Sequence, residues 1–133
     1  MMRAVGVYAL GESALTDTIL RMMTTIHGGL ADTKQGHCGA LLAGLLIIGA
    51  LFGRVQADGD DAQAKTVARQ YWQRFIEEFG SDHCGTLRST GKVGPEYPSV
   101  CGTIMVRAAG ILVDLLEEIA SQNEGVLDGD DVG

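Results

Sequence analysis

The sequence predicts an all-α protein, a small bundle of about four to five helices with a glycine-rich loop ahead of a central apolar helix. Three observations predict it. Apolar residues recur at a 3.6-residue period in two long segments, one stretch between them and the N-terminus is apolar on every side, and no segment alternates for long with a strand period. Only Val5 to Leu10 competes as a strand.

Met2 to Ile26 reads as two short helices broken at Gly11-Glu12-Ser13. Ser13 or Asp17 is the expected cap of the second, which carries Leu15, Ile19, Met22, Met23 and Ile26. The run HGGLADTKQGH from His27 to His37 has three glycines and no periodicity, so it is a loop. Cys38 to Phe52 follows as the central helix. Its small residues Gly39, Ala40, Ala43, Gly44 and Gly49 allow another helix to approach closely. Arg54 to Asp61 is a polar turn in which Asp58 or Asp60 can cap the next helix. There Ala64, Val67, Ala68, Tyr71, Trp72, Phe75, Ile76 and Phe79 form the apolar face, opposite Lys65, Arg69, Gln73, Arg74, Glu77 and Glu78. Gly80 stops this helix. Ser81 to Ser99 is irregular, with one candidate helical turn at Cys84 to Arg88. The last helix starts near Ser99 with a stripe of Cys101, Ile104, Met105, Ala108, Leu112, Leu115, Leu116 and Ile119. Residues 1–121 then form a single domain, and 122–133 an acidic tail expected to be disordered.

With 133 residues, 46% of them hydrophobic and 20% charged, the chain can bury a real core. Its 17 acidic and 10 basic residues give a net charge of −7. The seven residues Asp114, Glu117, Glu118, Glu124, Asp128, Asp130 and Asp131 account for all of that excess. Nucleic acid and anionic membrane are therefore excluded as partners, because neither finds a basic footprint. Gly39 to Gly53 falls short of the ~18 to 20 residues that span a bilayer. The run Ala4 to Leu10 is a poor signal-peptide core, so no secretion is expected. Three cysteines without a CxxC pair fit a reducing, cytoplasmic setting or thiols that do chemistry.

Each cysteine precedes a glycine, and two follow a histidine: His37-Cys38-Gly39, His83-Cys84-Gly85 and Cys101-Gly102. Each lies at or near a predicted helix start, where free amides favour a thiolate. Cys38, Cys84 and Cys101 are accordingly the candidate exchanging thiols, cofactor ligands and metal ligands. Cys38, at the head of the most apolar helix, is expected to be the most reactive, with burial as the opposing effect. The three are expected to lie close together. A Cys84–Cys101 disulfide would close a short loop and contribute about 3 kcal/mol in the entropic account. Alternatively the thiolates hold an iron–sulfur cluster or another thiophilic metal, which usually takes a fourth ligand. His37 and His83 read as surface or capping residues and His27 likewise, while Glu77-Glu78 and Glu117-Glu118 read as solvated faces. Nothing in the sequence points to a small-molecule pocket. The competing function is a non-catalytic helical dimer, paired through the small-residue face of Gly39 to Gly53, whose cysteines only pack.

At these residues the chain resembles the redox-active protein family named for its C-GCAxxG-C-C cysteine pattern. The similar portion runs from about Gly28 to Glu118. It includes the glycine-rich loop before Cys38-Gly39-Ala40, the FGSDHC run ending at Cys84, and Cys101 opening a helix that continues as AAGILVDLLEE. The resemblance implies a small, mostly helical intracellular protein that is redox-active or holds a prosthetic group through its cysteines; where the cysteines exchange as thiols, one attacks, a second resolves, and electrons pass to a redox partner protein. Two departures stand out. The family's first cysteine precedes the loop, whereas 1–37 contains none, and Ala43 occupies a glycine position. The chain thus reads as a diverged or N-terminally short member, with histidine, water or a partner ligand left to complete any four-ligand centre.

Overall fold

The computed structural model describes residues 1–95 and 97–132, with side chains described for 1–95 and 97–123. Among the described residues there are six α-helices and no named strand. They are α1 (Met2–Leu10), α2 (Asp17–Met22), α3 (Gly39–Phe52), α4 (Ala62–Phe79), α5 (Cys84–Thr90) and α6 (Val100–Val132). The all-α expectation holds, and the added helix is α5, a full two turns where the sequence offered one turn. The backbone of α6 continues past Ser121 to Val132, over the stretch expected to be an acidic tail, whose side chains are described only at Gln122 and Asn123.

Local chemistry sets the helix ends. Thr16, rather than Ser13 or Asp17, caps α2, its side chain accepting from the Ile19 amide at 3.3 Å. The N-cap of α4 is Asp61, rather than Asp58 or Asp60, while Asp60 just before it accepts the Ala62 amide at 2.9 Å. Gly80 ends α4 at φ 79, a left-handed conformation that costs glycine nothing.

The core sits where α3, α4 and α6 meet, with α1 against α3. Leu41, Ile47 and Ile48 of α3, Tyr71 and Phe75 of α4, and Ile104, Ala108, Leu112 and Leu115 of α6 are buried together. Each large apolar side chain removed from water contributes roughly 1.5–3 kcal/mol, which outweighs the modest propensity of a helix as glycine-rich as α3. The small residues of α3 serve this packing. A Cβ on Gly44 would collide with the Tyr71 ring, so it is α4 that approaches there. Tyr71 donates to the Ala40 carbonyl at 3.3 Å and stacks edge-on to Phe75. Trp72, expected on the apolar face, is 42% exposed and donates to Asp82 Oδ2 at 3.1 Å. No described helix is long and apolar enough to cross a membrane.

Candidate functional site

The loop between α2 and α3 is a left-handed spiral. Gly28 and Gly29 have φ 66 and 75, and Leu30, Ala31, Asp32 and Lys34 have φ between 50 and 69. A side chain in this region costs roughly 1–2 kcal/mol per residue, so other contacts must hold the loop in place. They do: Lys34 N donates to Gly28 O and Gly36 N to Gly29 O, both at 2.9 Å, while Thr33 Oγ1 donates back to Gly29 O at 2.9 Å. Gly29 is buried against Cys84, and a Cβ there would sit 2.5 Å from the Cys84 Cβ and 3.0 Å from its sulfur.

Beyond the spiral, the two His-Cys-Gly segments pair. His37 and His83 form an antiparallel bridge, flanked by Cys38 N donating to Asp82 O at 2.8 Å and Cys84 N donating to Gly36 O at 2.9 Å. The chain then turns from each segment into a helix, α3 from Cys38 and α5 from Cys84.

The start of α5 is closed to an anion. Cys84 N is bound by Gly36 O, Gly85 N by Lys34 O at 3.0 Å, and Thr86 N by His83 Nδ1 at 3.1 Å. This corrects the expectation that free amides at a helix start favour the Cys84 thiolate: its donors are already engaged. His83 is a helix cap, as expected. His37 is exposed, with Nε2 3.7 Å from Asp82 Oδ2.

Cys38 is half-buried, and burial pushes its thiol pKa up. The amides of Leu41 and Ala40 pull the other way without completing a cap hydrogen bond. Negative charge on Cys84 or Cys101 would also oppose its ionisation, so both are close enough to be felt. Burial wins. The expected activation of Cys38 by its helix start is therefore corrected, for the reason that the apolar surroundings outweigh two amides.

Cys101 is exposed on the first turn of α6, away from the core stripe in which the sequence placed it. Beside it the Tyr97 ring packs on Gly102, where a Cβ would collide with it. Thr103, the buried polar side chain of the core, accepts from Gly94 N at 3.1 Å and donates to Ser99 O at 2.7 Å, which ties the irregular segment to α6.

The three cysteines are free thiols, so no Cys84–Cys101 disulfide is formed. All three line one cavity of about 480 Å³, a feature the sequence did not announce. Its wall also takes Met23 and His27 from the N-terminal side, Arg88 from α5, and Tyr97 and Met105 from the α6 side. Arg88 was missed by sequence reasoning, yet it lies four residues after Cys84 on a helix, a spacing that puts both on one face. Among the described residues no three His, Cys, Asp or Glu side chains come together closely enough to hold a metal ion. The sulfurs share a cavity but do not form a ligand set, so the residues as arranged do not fit the iron–sulfur or thiophilic centre that the sequence offered.

A family model described as "Putative redox-active protein (C_GCAxxG_C_C)" matches residues 3–115. The chain belongs to this family. Comparisons with curated proteins and with solved structures found no match. The family description gives a redox character.

Proposed function

We propose that this C_GCAxxG_C_C protein is a dithiol redox protein that exchanges its thiols with a disulfide entering the cavity of Cys38, Cys84 and Cys101. The supporting observation is graded access within one cavity: Cys101 exposed, Cys38 half-buried, Cys84 buried. Exchange needs an accessible thiolate to attack and a second, sheltered thiol to resolve. Cys101 is the attacking group. Its thiolate bonds to one sulfur of the incoming disulfide and the other sulfur leaves as a thiolate. Cys38 then loses its proton and attacks the Cys101 sulfur, expelling the second thiolate. Two protein thiols become one disulfide, the substrate disulfide becomes two thiols, and the two protons pass from protein to product. A reduced partner protein returns the internal disulfide to thiols, which suits the reducing cytoplasm.

The experiment is trapping. With Cys38→Ser, a mixed disulfide at Cys101 accumulates and is identified by mass; with Cys101→Ser, none forms. Mixed disulfide forming equally well in Cys101→Ser would overturn the assignment. Protein purified anaerobically is expected to titrate with three thiols and no bound metal, and stoichiometric iron or another metal would favour a thiolate-ligated centre instead.

A further inference from the structure

We propose that the disulfide admitted to this cavity is a small molecule carrying a carboxylate, held by Arg88. This rests on the thiol-exchange reading above and names its substrate class.

The cavity, at about 480 Å³, falls within the ~300–1,000 Å³ typical of small-molecule pockets. A folded protein could bring a surface disulfide to Cys101, but Cys38 is half-buried and Cys84 is only 7% exposed, so a bulky partner is kept from the inner thiols. A slender disulfide is not.

Charge points to the class. The chain carries −7, yet among the described residues no aspartate or glutamate lines the cavity, whereas Arg88 and His27 do. Arg88 is exposed and its charge is felt by Asp32, which lies outside the lining. A guanidinium presents a planar fork that matches a carboxylate, and its place one turn beyond Cys84 puts that fork on the thiol side of α5. Met23 and Met105 add adaptable thioether wall for a methylene body. In the exchange, the carboxylate stays at Arg88 while the disulfide is cleaved as described: one substrate sulfur bonds to Cys101, the other departs as thiolate, and attack by Cys38 releases the second.

The test compares two disulfides of similar length and opposite charge, dithiodipropionate and cystamine, in single-turnover reactions with the full chain. Long-range attraction to a chain of net charge −7 favours cystamine, so preference for the dianion reports the cavity itself. Dithiodipropionate is expected to react about tenfold or more faster, the lower end of electrostatic rate effects. Arg88→Gln should abolish that preference by slowing dithiodipropionate, while cystamine, no longer repelled by the guanidinium, reacts no more slowly than with the wild-type chain. If Arg88→Gln unfolds, Arg88→Lys serves, retaining charge but losing the fork and keeping part of the preference. Equal rates in the wild-type chain, or a preference indifferent to Arg88, would overturn the substrate assignment and leave thiol exchange standing. Reaction only with the disulfides of a folded protein such as insulin also overturns it. No mixed disulfide with any of the three probes overturns the exchange reading itself.

Discussion

His37 and His83 stand opposite each other across a single antiparallel bridge, yet the two identical His-Cys-Gly motifs they open use them differently. Such a non-hydrogen-bonded pair brings facing side chains close, and alternation turns the following Cys38 and Cys84 to the other face, where both meet the cavity. His83 Nδ1 accepts the Thr86 amide at 3.1 Å, whereas the His37 ring, among the described residues, makes a 3.7 Å approach to Asp82. His83→Ala is therefore expected to cost about 0.5–2 kcal/mol, the range for losing an N-cap. His37→Ala should stay within about 0.5 kcal/mol of wild type, as exposed substitutions do. Denaturant titration of both variants checks this, and hydrogen exchange at the Thr86 amide should quicken only in His83→Ala.

Gly29 ties loop geometry to a thiol. At φ 75 and packed on Cys84, it has neither the conformational freedom nor the space for a Cβ. Gly29→Ala is expected to destabilise by about 1–3 kcal/mol, from backbone strain and displacement of Cys84. Alkylation of Cys84 should speed up in the variant, because the neighbour that covers its sulfur must shift. An unchanged Cys84 rate together with unchanged stability would show that the spiral does not depend on this contact.

Regular elements were legible because their signals are local. Val67, Tyr71 and Phe75 announced α4 by period, and Gly80 announced its end. The cavity was not legible, because what makes it is long-range. Leu30 and Ala31 have no preference for left-handed backbone, and nothing in their identity says that Lys34 O will cap Gly85 N. The same contacts falsify the simplest reading of Cys84, whose helix start was visible in the sequence but whose amides are engaged by a loop fifty residues away. The cysteine spacing pointed to a shared site, and only the fold decided which sulfur is covered and which is open.

Gly44 and Gly49 look alike in sequence and differ in packing. Gly44 lies under the Tyr71 ring, while a Cβ at Gly49 would meet nothing within 4 Å. Gly44→Ala is expected to destabilise by about 1–3 kcal/mol through overpacking. Gly49→Ala should stabilise by up to about 1 kcal/mol, the helix-propensity gain of alanine. Paired thermal melts measure both. If α3 instead joined a second copy through its small residues, Gly49→Ala would weaken the dimer, which sedimentation at several concentrations would reveal.

Cys38 and Cys101 should separate by accessibility and by pH. Cys101 is exposed, so it is expected to alkylate fastest, with Cys38 slower and the buried Cys84 slowest. Burial raises the Cys38 pKa, so its thiolate fraction at neutral pH is below that of an ordinary thiol, and its rate should keep climbing above the ordinary thiol range near ~8.5. The same shift fixes the sign of its contribution to stability. Above the unfolded pKa, the unfolded chain has lost a proton that the folded chain still holds, so folding stability falls as pH rises through that window. Below the unfolded pKa neither state ionises, and this contribution is flat. Cys38→Ala should therefore remove part of the alkaline loss of stability while leaving the neutral-pH slope unchanged. Alkylation followed thiol by thiol across pH, alongside melts of wild type and Cys38→Ala, reads both. Cys38 reacting faster than Cys101 at neutral pH would mean that the amides of Leu41 and Ala40 outweigh burial after all.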